Sequence, residues 1–161
     1  MLSRYKRVIA CDIDDKKLDA AKSRGAAETC NLQDGGSKRI GEIAGGGLHG
    51  MLDFVGAPST LALAAPYLRK GGKIVVCGLF GGMASIPIAV LPLREIAILG
   101  SLVGSTQELI ELVALAKRGQ IQLGDVERRP MNAAERSLSD LAGGRVIGRV
   151  VLEAEPDSDQ L

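Results

Sequence analysis

The stretch Val8-Ile9-Ala10-Cys11-Asp12-Ile13-Asp14 decides the fold. Its four leading apolar residues are typical of a strand that is buried on both faces. The residues that follow predict a helix, which Asp14 caps and Gly25 ends. An acid at the carboxyl end of a parallel strand can accept hydrogen bonds from both hydroxyls of an adenosine ribose. Asp12 is therefore either a ribose ligand or merely the start of a turn.

The composition predicts one α/β domain, or one domain with an appendage. The chain has 161 residues, of which 46% are hydrophobic and 2% aromatic, so its core is expected to consist of Ile, Leu, Val and Ala. The net charge of +1 does not indicate a nucleic-acid surface. No segment is long enough for a membrane span, and Met1 opens no secretory signal.

The cysteines indicate a reducing compartment. Cys11, Cys30 and Cys77 are far apart, and two of them lie in strand-like runs, which predicts buried thiols in the cytoplasm. With a single histidine and no CxxC spacing, we expect no metal site made by this chain alone.

Strands and helices alternate along the chain with short turns. Strands are predicted at 7–11, 27–30, 51–55, 73–78 and 95–103. The helices between them include one capped by Ser37, one in which Pro66 introduces a kink, and one capped by Ser105. This order predicts a parallel sheet with right-handed crossovers, whose ligands lie beyond the carboxyl ends of the strands. Glycines at those ends, such as Gly56 and Gly78, either let a ligand approach the backbone or simply end the strand.

The segment Gly45-Gly46-Gly47-Leu48-His49-Gly50 matches the G-x-G-x-x-G fingerprint literally. That fingerprint has to follow a strand and open a helix, whereas this segment follows a predicted helix and opens a predicted strand. We interpret it as a glycine-rich loop in which His49 is a solvated loop residue.

The pattern changes after residue 122. A strand at 126–131, a helix begun by the capping box Asn132-Ala133-Ala134-Glu135 and a strand at 146–152 predict a strand–helix–strand appendage. The predicted division is therefore an α/β part at 1–122 and a C-terminal return segment at 123–161.

The order of these motifs resembles the zinc-type, medium-chain alcohol dehydrogenase family over nearly the whole chain. The likeness rests on a spaced set of segments: Val8–Asp12 with Lys17-Leu18, Asp53-Phe54-Val55-Gly56 with Thr60, Val76-Cys77-Gly78, Ile98–Gly104 and Gly148–Leu152. The resemblance implies an α/β fold with a Rossmann-like, doubly wound parallel sheet. It also implies a two-domain oxidoreductase, in which the Rossmann domain binds NAD(P) and a GroES-like domain holds the catalytic zinc.

The resemblance also implies roles for individual residues. Asp12 would take the adenosine ribose hydroxyls with Lys17 close by, which favours NAD over NADP because a carboxylate repels a 2′-phosphate. Gly56 would lie under the cofactor. The nicotinamide carboxamide would be held by backbone groups around Cys77, Gly78, Leu79, Ser101 and Val103. Arg149 would either reach the pyrophosphate or be a solvated charge at a strand end.

The departures from the family are larger than the matches. The family's first strand, its glycine-rich turn and the GroES-like part with the zinc ligands have no counterpart in this sequence. The sheet is thus expected to lack its first strand, which is central in the complete fold. The gap is closed by direct pairing, is filled by another chain, or marks this sequence as part of a longer polypeptide. We expect no catalytic or metal-binding residue, NAD bound weakly or not at all, and zinc only in the full-length family.

Three functions remain open at this stage. The first is a cofactor-binding fragment of a zinc- and NAD-dependent alcohol dehydrogenase that is inactive alone. The second is a non-catalytic assembly module that forms a homodimer through the apolar edge strand Glu95–Val103. The third is a methyltransferase-like domain, in which an acid at the end of a strand also holds a ribose.

Overall fold

The computed structural model describes residues 7–33, 35–121 and 124–154. Strands and helices alternate along this part of the chain, as the sequence predicts. The elements are β1 (Ile9–Asp12), α1 (Asp15–Ser23), β2 (Glu28–Asn31), α2 (Gly36–Ala44), β3 (Leu48–Asp53), α3 (Pro58–Ala64), β4 (Leu68–Val76), α4 (Val90–Arg94), β5 (Ala97–Gly100), α5 (Thr106–Lys117), β6 (Val126–Pro130), α6 (Ala134–Ala142) and β7 (Arg149–Glu153).

Every strand pairing among the described residues is parallel, which confirms the predicted α/β fold. β1 pairs with β2, and β3, β4 and β5 form a three-stranded sheet in that order. β6 and β7 form a separate parallel pair, with α6 between them in the chain. Parallel neighbours need a crossover connection, and α1, α3 and α6 supply one each.

The first five strands are divided into two half-sheets. Among the described strands, β1 is hydrogen-bonded only to β2, and β3 only to β4. The predicted gap is therefore present, and direct pairing of its two flanking strands does not close it.

One hydrophobic cluster underlies both half-sheets. Its buried members are Cys30 on β2 and Ile40 and Ile43 on α2. The partly buried residues packed against it include Ile9 of β1 and Leu48 of β3, together with Leu32, Leu63 and Tyr67. Aliphatic side chains from both sides of the gap thus share one core, as the aromatic-poor composition predicts.

Several predicted boundaries were wrong for identifiable reasons. α2 begins after Gly35, whose φ of +86° forms the N-cap, and the hydroxyl of Ser37 instead lies 3.2 Å from that of Tyr67. α3 ends before Pro66, which falls in a short 3-10 turn (Ala65–Tyr67) rather than inside a kinked helix. His49 lies exposed on β3 and not in the glycine loop, which ends at Gly47.

Two further predictions fail in the later part of the chain. Glu95 adopts a left-handed φ of +53° that ends α4, so β5 covers only Ala97–Gly100 and not all of 95–103. Asn132 lies inside a 3-10 turn (Met131–Ala133) that precedes α6, and no side chain caps that helix. An N-cap residue needs an extended backbone, which the turn denies to Asn132.

The cysteines are only partly as predicted. Cys30 is buried and Cys77 is partly buried, but Cys11 is exposed, since its strand has no second neighbour.

The chain divides into two compact units within α5, between Val113 and Ala114. The first holds β1 to β5, and the second holds β6, α6 and β7. In the second unit, Arg129 donates to Asp140 Oδ2 at 2.9 Å and to Ser137 Oγ at 3.2 Å. No helix in the described part of the chain is both long and apolar enough to cross a membrane.

Candidate cofactor site

Asp12 lies at the carboxyl end of β1, and its carboxylate is half engaged. Oδ1 accepts hydrogen bonds from the backbone N–H groups of Ile13 and Asp14, at 2.8 and 3.1 Å. Asp14 in turn accepts from Lys16 N at 2.9 Å and caps α1, as predicted. Among the described residues nothing donates to Oδ2 of Asp12. The side chain is held in place by one oxygen and offers the other to a hydroxyl donor.

A second acid, Asp53, shapes the turn after β3. It is 2% exposed, and its Oδ1 accepts from Val55 N and Gly56 N at 2.9 and 3.0 Å. Its Oδ2 accepts from the Thr60 hydroxyl at 2.8 Å, at the start of α3. Every hydrogen bond of this buried carboxylate therefore serves to fix the loop that carries Gly56.

Gly56 and Gly78 bring two loops into backbone contact. Gly56 has a φ of +72°, and a Cβ on it would overlap the carbonyl oxygen of Gly78. A Cβ on Gly78 would overlap the backbone of Val55. Phe80 N donates to Val55 O at 3.0 Å and so continues the β3–β4 ladder beyond the strands. These glycines thus bind the two loops to each other, which leaves their approach to a ligand as a proposal.

A small cavity lies at these strand ends. It measures about 160 Å³, and its wall includes Asp53, Gly56, Val76 and Gly82. A pocket that encloses a drug-sized ligand measures roughly 300–1,000 Å³. In the described part of the chain, the carboxyl ends of β3 and β4 therefore form an open surface with a small recess.

The loops around this recess expose apolar side chains. Leu79 is 83% exposed and Val103 is 98% exposed. Val103 also has a φ of +50°, which is rare for a β-branched residue and costs roughly 1–3 kcal/mol. Ser101 N donates to Val76 O at 2.9 Å, so the β5 end is aligned with the end of β4.

The structure brings only some of the predicted residues together. Gly56, Cys77, Gly78 and Ser101 meet where the three-stranded sheet ends, and Cys77 N donates to Asp53 O at 2.8 Å. Asp12 and the nearby Lys17 of α1 belong to the other half-sheet. Arg149 lies in the second unit, where it is exposed and its Nη1 donates to Gly148 O at 3.2 Å.

Comparison with known proteins decides the family. Residues 4–118 match the family described as zinc-binding dehydrogenase. The chain belongs to the zinc-binding dehydrogenase family. The resemblance found in the motif order is thereby confirmed.

Curated relatives and solved structures of this dehydrogenase family agree. An alcohol dehydrogenase of Geobacillus stearothermophilus is 33% identical over 151 residues, which are 92% of this chain and 44% of the relative. An NAD-dependent alcohol dehydrogenase of Sulfurisphaera tokodaii is 29% identical over 90% of this chain and 42% of its own. The crystal structure of the alcohol dehydrogenase from Aeropyrum pernix superposes with a TM-score of 0.81 at 33% identity, covering 90% of this chain and 42% of that one.

The chain thus spans less than half the length of these dehydrogenases, and matches their C-terminal part. Among the described residues, no three His, Cys, Asp or Glu side chains come together as metal ligands. The described part of the chain therefore does not fit a catalytic zinc.

The candidate site contains one residue that the site prediction missed. The motif order assigns no site role to Asp53, although its spacing to Gly56 and Thr60 indicates one. An acid that precedes a strand-ending glycine by three residues and a threonine by seven can accept from both of the turns that they form.

Proposed function

We propose that this chain is the cofactor-binding part of an NAD-dependent, alcohol dehydrogenase-like oxidoreductase. The observation that carries the proposal is Asp12, which ends a parallel strand with one oxygen anchored by two amides and the other open. That arrangement suits the acceptance of a ribose hydroxyl. The names of the relatives from Sulfurisphaera tokodaii and Geobacillus stearothermophilus support the same class.

Each predicted residue has a role in this proposal. Asp12 accepts from the adenosine ribose and disfavours a 2′-phosphate, while Lys17 lies close by. Gly56 underlies the cofactor. The backbone around Cys77, Gly78, Leu79, Ser101 and Val103 holds the nicotinamide carboxamide. In the whole protein, these residues would hold NAD, which would supply the hydride acceptor for alcohol oxidation. This chain's own residues bind and orient it, and catalytic zinc belongs to the full-length family.

The proposed domain division assigns Arg149 a role in pyrophosphate binding. Residues 1–122 form the incomplete Rossmann domain, and residues 123–161 return toward the catalytic part of the full-length dehydrogenase. Arg149 would place its guanidinium on the pyrophosphate through charge-assisted hydrogen bonds. A cytoplasmic location completes the proposal, because unpaired thiols such as Cys11 persist in a reducing compartment.

Calorimetric titration of the purified chain with NAD, NADP and S-adenosylmethionine tests this function. We expect NAD to bind in preference to the other two. Asp12→Asn keeps the Oδ1 acceptor but removes the charge, so it should weaken NAD binding about tenfold and reduce the discrimination against NADP. Asp19→Asn, on the exposed face of α1, is the matched control and should change neither. Tighter binding of S-adenosylmethionine would instead support the methyltransferase-like alternative.

The chain by itself is expected to show no alcohol oxidation. Its described residues supply no metal-ligand group, and it covers less than half of its relatives. An assay of NADH formation from primary and secondary alcohols, with zinc added, checks this. A zinc- and NAD-dependent rate from the purified chain would overturn the proposal that it is inactive alone.

A second candidate, favoured by the outer edge of β5, is a dimerisation module. Ser101 N donates to Val76 O, so the alternating backbone groups of Ile98 and Gly100 point away from β4. No described strand pairs with that edge. Such an edge can pair with its twin across a two-fold axis. Light scattering at high concentration that shows only monomer would argue against this candidate.

A further inference from the structure

The two strands that flank the gap present open edges. Asp12 O accepts from Leu32 N of the β2 side, so the backbone groups of Ile9 and Cys11 point the other way. Asp53 O accepts from Cys77 N of the β4 side, so Gly50 and Leu52 likewise point away from β4. No described strand pairs with either edge. Open edges of this kind are strand-pairing templates.

Both edges belong to one packed layer. Ile9 of β1 and Leu48 of β3 contact the same buried cluster, which Ile40 and Ile43 of α2 form beneath the gap. The gap between the half-sheets is thus an unfilled strand position within one sheet, because β1 and β3 on its two sides pack against the same residues of α2.

The opposite face of the sheet is apolar and uncovered near the gap. Leu52, Val75 and Leu99 are register partners across β3, β4 and β5, so their side chains form a row on one face. Leu52 is 64% exposed and Leu99 is 48% exposed. Ile74, whose side chain points to the other face, is fully buried in the same sheet. An uncovered row at the centre of a parallel sheet is unusual, because such sheets are normally covered on both faces.

The chain's connections define what would cover that row. Across the sheet, the step from β1 to β2 leads away from the gap, whereas the step from β2 to β3 leads back over the gap in the opposite direction. Right-handed crossovers therefore place α1 and α2 on opposite faces. Consider a strand that fills the gap and is connected to β1 by a helix. The step from that strand to β1 has the same direction across the sheet as the step from β1 to β2. Its helix would lie on the α1 face, over Leu52.

We propose that the gap can bind, as a separate polypeptide, one parallel apolar strand followed by an amphipathic helix. More than half of each dehydrogenase relative lies outside the part that this chain matches, which is long enough to contain such a strand and helix. The strand pairs with Ile9 and Cys11 on one side and with Gly50 and Leu52 on the other, and the helix covers Leu52. The inference rests on the proposed function only for its nucleotide readout.

The probe is a peptide of about 30 residues, the usual length of a strand–crossover unit. It is taken from the Geobacillus stearothermophilus alcohol dehydrogenase, immediately before the part that this chain matches. Fluorescence anisotropy measures its binding to the full chain. Amide exchange by NMR then reports which backbone groups become protected.

We expect saturable binding, with slower exchange at the N–H groups of Ile9, Cys11, Gly50 and Leu52. Ala10 and Met51 are internal controls, because the ladder pattern already bonds their N–H groups to β2 and β4. A matched peptide with proline at the centre of its strand should lose binding, since proline cannot donate to a ladder.

Two variants of the chain separate the helix contact from general effects. Leu52→Asp places a charge under the proposed helix and should weaken peptide binding at least tenfold. Leu99→Asp, on the same face but two strands away, should change it less than threefold, because a helix about 10 Å wide covers roughly two strands. Both side chains lie on the uncovered face of the sheet, so both variants should stay folded.

Absence of peptide binding, or protection away from the four gap-facing amides, would overturn the inference. So would slow exchange of those amides in the isolated chain that depends on its concentration, since a second copy would then occupy the gap. NAD titration of the complex keeps the two proposals apart. Gap protection without NAD affinity leaves this inference standing and defeats the proposed function, whereas NAD binding to a chain that rejects the peptide does the opposite.

Discussion

Asp53 shows how one buried carboxylate sets the loop that carries Gly56. Asp53→Ala leaves Val55 N, Gly56 N and the Thr60 hydroxyl without their acceptor, and should lower the free energy of unfolding by about 3 kcal/mol. Urea denaturation measures the change. Asp19→Ala, at an exposed position of α1, is the control and should stay within about 0.5 kcal/mol of the parent chain. Equal losses in the two variants would contradict the role of Asp53.

A substitution at Gly78 tests whether the loops that follow β3 and β4 need their backbone contact. Gly78→Ala drives a methyl group into the backbone of Val55, and should destabilise the fold by about 3 kcal/mol or more. Gly100→Ala is the matched control, because a Cβ there meets nothing within 4 Å. Thermal unfolding compares the two, and a Gly78→Ala protein as stable as Gly100→Ala would show that the loops can separate freely.

Val103 carries backbone strain that glycine should relieve. Its φ of +50° costs roughly 1–3 kcal/mol, whereas the added unfolded-state entropy of glycine costs about 0.4–1 kcal/mol. Since Val103 is 98% exposed, little packing is lost. Val103→Gly should therefore raise the unfolding temperature. Leu102→Gly, exposed and without positive φ, should lower it. A fall in both variants would mean that the φ of Val103 is not strained.

At the scale of elements, local signals predicted the structure where their partners were also local. Asp14 caps α1, and Ser105 with Glu108 forms a reciprocal capping box at the start of α5. Both involve residues within one turn of each other, so four residues of sequence contain the whole interaction. The glycine run at 45–47 likewise ends α2 by backbone conformation alone.

The failures involve elements that depend on contacts beyond one helical turn. α2 begins at Gly36, which lies against the Asn31 carbonyl at the end of β2, where a Cβ would overlap. The spacing of Leu109, Leu112 and Val113 places them on one side of α5, yet no residue of α5 is buried among those described. Periodicity shows which face of a helix is apolar, but it does not show which segment covers that face.

The ion cluster of the second unit should make its stability depend on acid. Hydrogen bonds from Arg145 and Arg129 hold the pKa of Asp140 below its usual value of 3.8. A lowered folded-state pKa stabilises the fold above the unfolded-state value, and this contribution disappears as the pH falls through the lowered one. The protection factors of the β6 and β7 amides, which correct exchange for its intrinsic pH dependence, should therefore fall below about pH 4.

Asp140→Asn removes the titrating group and leaves the packing nearly unchanged. In that variant, exchange in β6 and β7 should be faster at pH 7 and should lose part of its acid dependence. Asp19→Asn is the exposed control in the other unit. An acid dependence of the same steepness in Asp140→Asn would mean that another carboxylate is responsible.

At the scale of the whole molecule, the sequence predicted the gap because it depends on strand order, not on packing detail. The topology of parallel α/β folds determines which strands are neighbours, and the motif order placed β1 and β3 on either side of a missing central strand. The sequence did not predict that Ile40 and Ile43 keep the half-sheets in one layer. That contact joins segments more than thirty residues apart, and side-chain volumes rather than local pattern decide it.

The free edge of β5 offers the sharpest test of assembly. The Gly100 N–H points away from β4, because Ser101 and not Gly100 donates to Val76 O. Gly100→Pro should leave the β4–β5 ladder intact and remove one donor from the outer edge, whereas Gly100→Ala keeps that donor. If β5 pairs with its twin, sedimentation should show a dimer for the parent chain and for Gly100→Ala, with dissociation at least tenfold more favourable in Gly100→Pro. A dimer of equal affinity in all three proteins would place the interface elsewhere. The apolar row at Leu52 and Leu99 would then be the surface to test next, because both side chains are exposed on the same face of this sheet.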